Sequence, residues 1–172
     1  HEGYASRPVH SYWDDLWALR GLADAAAAAA LLGDGERARR FAAARDELCA
    51  DLVASMEAVM AKHGLDTLPA SAELADFDPN STAIALDPVG AGQALPQDAL
   101  ARTFERWWEE FAARRRGESA NEAYTAYEIR NAVAFLLLGR PDRALALLEA
   151  LVADQRPPGW RQWPEISWRD PA

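Results

Sequence analysis

The sequence predicts an all-α protein made of stacked antiparallel helical hairpins. Three observations lead there. Long Ala- and Leu-rich stretches run without Pro, and glycines stand where those stretches stop. No Val/Ile/Thr alternation of useful strand length occurs. The 172 residues are about one domain's length, so the chain is expected to form a single all-helical domain over 1–172 or a segment of a larger one.

The elements follow in order. Residues 12–32 form a first long helix, tolerant of Gly21 and closed by Gly33. Asp34-Gly35 is a tight turn. A second long helix over 36–62 carries Phe41, Leu48, Leu52, Met56 and Val59 at helical spacing and ends at Gly64. So short a connection makes the two antiparallel. Residues 64–79 read as a loop. Asn80-Ser81-Thr82 caps a short helix over 83–86, which Pro88 and Gly90 stop.

Pro96 suits a first helical turn, and a helix continues over 97–116. Ser119 with Glu122 fits a capping box for a helix over 121–138, ended by Gly139. Pro141 starts a last helix that reaches Asp154. Residues 155–172, broken by Pro and Gly, are expected to be loop. The pairing suggests three hairpins, and hairpins that cannot bury a face alone must stack on neighbours.

Composition narrows the function. The formal charge of −9 argues against a nucleic-acid partner, which calls for basic surface. Arg or Asp interrupts every apolar run well short of a membrane span, so no membrane partner is expected. The single Cys49 excludes an intrachain disulfide framework and a multi-Cys metal site, and leaves the compartment undecided. His10, His63 and His1 have no metal-ligand spacing, and Gly90-Ala91-Gly92 lacks the strand and third glycine of a phosphate loop. No metal or organic cofactor is expected. The chain starts at His1 and reads as an excerpt or processed piece of a longer protein.

Three stretches have the wrong composition for scaffolding alone. The first is His10-Ser11-Tyr12-Trp13-Asp14-Asp15-Leu16-Trp17. Two acids in a first helical turn favour the helix dipole, which is the plain explanation. With Tyr12, Trp13 and Trp17 beside them, the carboxylates also suit a pyranose, which offers apolar C–H faces to stack and hydroxyls to bond. An Asp-rich diphosphate motif of the terpenoid-cyclase kind fails, because Ala18 stands four positions after Asp14.

The second stretch runs from Asn121 to Asn131. On a continuous helix, Tyr124, Tyr127, Glu128 and Asn131 share one face, while Ile129, Val133 and Leu136 serve packing. Such a polar-aromatic stripe is expected along a wet cavity. The plain alternative is a satisfied buried network, with Glu128 paired to Arg130 or Arg20. The third stretch, residues 157–170, holds Trp160, Trp163 and Trp168 within nine residues, costly to leave in water. Glu165 among them is expected to lose its water on folding, which raises a carboxyl pKa and suits a general acid. Pairing with Arg161 or Arg169 is the competing outcome.

Tyr12-Trp13-Asp14-Asp15-Leu16-Trp17-Ala18-Leu19-Arg20-Gly21 resembles a motif of bacterial six-hairpin glycosidase-like proteins. So do the 78–86 stretch Asp78-Pro79-Asn80-Ser81-Thr82-Ala83-Ile84-Ala85-Leu86, the 124–130 stretch, and Gln162-Trp163-Pro164-Glu165. Their order along nearly the whole chain is more specific than any one of them. The resemblance implies a partial (α/α)6 toroid, its C-terminal portion with about half the helices. The helices after Tyr12, Asn80 and Asn121 would be inner, and the mouth at their ends would bind carbohydrate. It implies a glycoside hydrolase working with two carboxylates, one protonating the leaving oxygen and one activating water. Glu165 and Asp15, then Asp14 and Glu128, are the catalytic candidates. Tyr12, Trp13, Trp17, Tyr124, Tyr127, Asn131 and Trp163 are the sugar-binding candidates. The remainder of the parent chain, or another subunit, would complete the toroid. The alternative is a non-catalytic helical-repeat interaction module that docks a protein partner.

Overall fold

The computed structural model describes residues 6–119, 123–157 and 159–168. It is mostly helical, as the sequence predicts. The chain divides into two compact units, His1–Leu100 and Ala101–Ala172.

The first unit is built on α1 (Tyr12–Leu31) and α2 (Gly35–His63). Asp34 caps α2 by accepting from the Arg37 amide, and Gly64 closes it at φ 64, a left-handed conformation that needs no Cβ. Tyr12, at the start of α1, meets Ser55, near the end of α2, through a 2.8 Å hydrogen bond. The hairpin is therefore antiparallel. Leu16 and Leu19 of α1 and Leu52, Met56 and Val59 of α2 are buried in the core. The short α3 (Pro79–Leu86) packs on α1 and buries Ala83, Ile84 and Ala85. Its cap is Asp78, which accepts from the amides of Asn80 and Ser81, and not the Asn80-Ser81-Thr82 run. Proline at the first helical position loses no intrahelical bond, so the helix starts earlier than expected.

Helix α4 (Gln97–Arg116) starts at the end of the first unit and lies mostly in the second. In the second unit its Phe104, Trp107 and Phe111 gather with Phe135 of α5 (Ile129–Leu137) in an aromatic core. Phe104 and Phe135 meet edge-on at 6.1 Å, and Trp107 stacks on Phe111 at 5.4 Å. Helix α6 (Pro141–Ala153) packs on α5 and buries Ala144, Leu147 and Leu151. Its Arg143 is pinned by a two-pronged bond to Glu105, both arms 2.7 Å.

Two expectations fail in this unit. The helix expected over 121–138 begins only at Ile129. Before it come strand β1 (Ala123–Thr125) and a 3-10 turn (Ala126–Glu128). Likewise the expected terminal loop contains strand β2 (Ile166–Trp168), antiparallel to β1 with Tyr124 opposite Ser167. Aromatic and β-branched residues favour a paired strand once a partner exists, and a partner some forty residues away leaves no local pattern. Glu122 of the expected capping box, like Asn121, Arg169 and Asp170, lies outside the described residues.

Candidate functional site

In the first unit, the site begins with the chain that leads into α1. Residues 10–12 run antiparallel to residues 70–73. The Tyr12 amide donates to the Ala70 carbonyl at 3.0 Å and the Ala72 amide to the His10 carbonyl at 2.9 Å. Ser11 bridges Ser71, whose hydroxyl donates to Asp76 at 2.7 Å. This brace fixes the start of α1 and the side chains grouped there.

Asp14 and Asp15 occupy the first turn of α1. Partial burial holds the Asp15 carboxyl above the usual Asp range, and Asp14 beside it pushes the same way. Trp13 and Trp17 meet edge to face, 5.7 Å between ring centres. Trp17 is 41% exposed and Trp13 is partly so, which leaves aromatic surface in water. Tyr12 differs: it is buried, and its hydroxyl is engaged with Ser55, so it is a packing residue and offers no wall to a sugar. His10 is exposed yet doubly held by Glu73, through its amide at 2.8 Å and its Nδ1 at 2.5 Å.

In the second unit, β1 and β2 bring the 124–131 and 160–168 stretches together, but not as one helix face. Tyr124 is a buried strand residue whose hydroxyl donates to Asp154 at 2.6 Å. Burial and Asp154 both push its phenol pKa up. Glu128 is buried and paired with Arg114, not with Arg130 or Arg20. Desolvation outweighs that attraction and keeps its carboxyl above the ordinary Glu value. Asn131 is fully buried on α5. Tyr127 instead faces solvent, 50% exposed, with the Arg130 guanidinium 4.7 Å from its ring centre.

In place of the expected wet cavity there is a small recess of about 10 Å³ among Phe111, Arg114, Tyr124, Glu128 and Asp154, about one water's worth. The packing expected of Ile129, Val133 and Leu136 also fails, since all three are exposed and Ala132, Ala134 and Phe135 fill the core instead. The 3-10 turn before α5 shifts the phase of the helix relative to a continuous one.

Glu165 is exposed, so folding does not strip its water as expected. The three-residue strand beside it turns Ser167 inward instead, and Ser167 is buried. Trp163 is half-buried and donates its indole N–H to the Leu151 carbonyl at 2.6 Å. It thereby satisfies one of the last carbonyls of α6 and ties the Trp-rich loop down. Trp160 is 70% exposed.

Sequence reasoning missed Glu73, Arg114, Arg115 and Asp154. All act across long separations on charged residues of ordinary local context, which carries no motif. A separate groove of about 290 Å³ in the first unit, lined by Leu19, Ala23, Arg45, Cys49, Val89 and Ala94 among others, includes none of the candidate site residues. Among the described residues no group of three or more His, Cys, Asp or Glu could hold a metal ion, and no helix is long and apolar enough to cross a membrane. Compared with protein families, curated proteins and solved structures, the chain finds no match.

Proposed function

We propose that this chain is a carbohydrate-active segment of an (α/α)6 toroid from a glycoside hydrolase, and that the start of α1 contributes to its sugar site. One observation carries the reading: the first turns of α1 hold both the edge-to-face Trp13–Trp17 pair, with Trp17 41% exposed, and Asp15, a half-buried carboxyl that burial raises above its ordinary value. Aromatic surface stacks on the C–H face of a pyranose. A carboxyl with a raised pKa can hold a proton for a glycosidic oxygen or bond a hydroxyl. The exposed leucines Leu136, Leu137, Leu145 and Leu148 of the α5–α6 hairpin support the stacking part of the reading, since they suit a further hairpin laid against them.

The candidates now rank differently. Asp15 leads, with Asp14 beside it and Glu165 as a solvent-accessible carboxylate of the second unit. Glu128, committed to Arg114, is a structural residue. Trp13 and Trp17 form the sugar wall; Tyr12, Tyr124, Asn131 and Trp163 hold the fold, and Tyr127 remains an exposed ring.

The test is turnover of aryl glycosides and oligosaccharides by the intact parent protein and by its Asp15→Asn, Glu165→Gln and Trp17→Ala variants. Loss of hydrolysis in either carboxyl variant, with folding retained, is the expected result. Full turnover in both removes them from catalysis.

A second reading, a non-catalytic helical-repeat module binding a protein partner, is favoured by Leu31 and Leu32 at the α1–α2 turn, which are 90% and 85% exposed. It predicts no glycoside turnover and no effect of Trp17→Ala on sugars.

A further inference from the structure

The α5–α6 hairpin is covered on one face and bare on the other. Helix α4 meets both its helices: Phe104 and Trp107 lie against Phe135 of α5, and Glu105 and Trp108 hold Arg143 of α6. Across α5 from Phe135 run Ile129, Val133 and Leu136, and across α6 from Arg143 run Leu145, Leu148 and Val152. All six are between 37% and 59% exposed. Both stripes point away from α4, so they share the outer face of the hairpin. The antiparallel run orders them in rows, with Leu136 and Leu145 toward the turn and Ile129 and Val152 toward the open end.

The area and the charges say what covers this face. With Leu137, the stripes leave about 600 Å² of apolar surface in water, at the upper end of what a lone protein exposes. A stable dimer covers about 800 Å² on each partner, apolar at the core and polar at the rim. The buried Ala132 of α5 and Ala144 and Leu151 of α6 mark the sides on which the two helices meet. Helical spacing then sets Arg130, stacked on the Tyr127 ring, along the free edge of α5, and the exposed Glu149 along the free edge of α6. One rim is basic and the other acidic.

We propose that this face binds a second copy of the chain, two α5–α6 hairpins packing face to face about a two-fold axis along their length as a four-helix bundle. That axis lays α5 of each copy over α6 of the other and brings Arg130 to the edge that carries the partner's Glu149. Laying α5 on α5 would put basic edge with basic edge. The inference stands on the α5–α6 face alone and names the hairpin laid against it as that of a second copy. Glycoside turnover reads the α1 site separately, so either reading can fail without the other.

The test is sedimentation velocity of the chain over a concentration series, with thermal melting of each variant. A concentration-dependent dimer is expected. The Leu136→Glu/Leu145→Glu variant should weaken it at least about a hundredfold, since it buries charge at the centre of the contact. Arg130→Glu and Glu149→Arg should each weaken it about tenfold, and the two together should return it to within about threefold of wild type. Leu31→Glu, at the α1–α2 turn, should leave it unchanged. A chain still monomeric at about 200 µM overturns the proposal and leaves the face to a hairpin of the parent protein. A dimer that survives the leucine variant, or is lost in Leu31→Glu, overturns it too, and one indifferent to both charge swaps overturns the α5-over-α6 pairing. Hydrogen exchange of the wild type needs no variant: dilution from dimer to monomer should speed exchange over 129–152 and not in α2, and uniform exchange at all concentrations counts against the face.

Discussion

Tyr124 and Asp154, thirty residues apart, share a 2.6 Å hydrogen bond from phenol to carboxylate in the second unit. Arg115 donates to the same carboxylate oxygen at 2.6 Å. A strand, the long helix α4 and the end of α6 are thus joined at one acidic side chain. Removing only the phenol oxygen isolates one arm. Tyr124→Phe is expected to cost about 1.5 kcal/mol, the usual worth of a bond to a charged group. Urea unfolding should show a lower midpoint at unchanged slope. A change below about 0.5 kcal/mol would mean that Arg115 alone satisfies Asp154.

The Arg114–Glu128 pair yields a prediction with a pH signature. Both side chains are nearly buried, at 12% and 6% exposure. Arg114→Met strands Glu128 without its counter-charge, which pushes its carboxyl further above the ordinary value. Near pH 7 the loss should be about 3 kcal/mol. A group with a raised folded pKa binds more protons folded than unfolded, so the deficit should shrink as pH falls and Glu128 becomes neutral. Denaturant unfolding at neutral and mildly acid pH checks this. A deficit that grows in acid would contradict it.

Asp15 follows the same sign rule in a milder form. Its folded pKa lies above the 3.8 of an ordinary Asp, so its ionisation lowers stability as pH rises from that value through the raised one. Asp15→Asn removes the titration. The melting temperature of the variant minus that of wild type should therefore increase over the same interval and level off above it. A difference that stays flat from about pH 3 to pH 7 would place Asp15 in water.

Ala75 sits at φ 53, in the left-handed region, within the loop that holds Glu73 and Asp76. Its Cβ makes that conformation costly by about 1 kcal/mol. Ala75→Gly should raise the melting temperature by about 2–4 °C. No gain would show that the added freedom of glycine in the unfolded chain offsets the relief.

The legibility of the sequence tracks the range of the interactions. Helices bounded by Gly33, Gly64, Pro96, Gly139 and Pro141 can be read because their stop signals are local. The acids, Trp13 and Trp17 of α1 are legible as a group, since one short run brings them together. The 121–131 stretch is not, because β1 exists only through β2, and a helical wheel drawn through Tyr124 and Asn131 assumes a continuity that the 3-10 turn breaks. Glu165 shows the other limit. Its aromatic neighbours suggest burial, but Glu165 stands at a bend just before β2, and its carboxylate stays in water while Ser167 within the strand is buried.

The pairing of Ala123–Thr125 with Ile166–Trp168 has a consequence for how this hairpin is joined to the rest of the chain. The two strands flank the α5–α6 hairpin, so the chain comes into that hairpin and departs from it at neighbouring points. A segment whose two junctions adjoin can be duplicated, transplanted or interrupted by an insertion with little disturbance to its host. Here the three-residue ladder acts as a clasp, holding the entry to the α5–α6 hairpin beside the chain that leaves it.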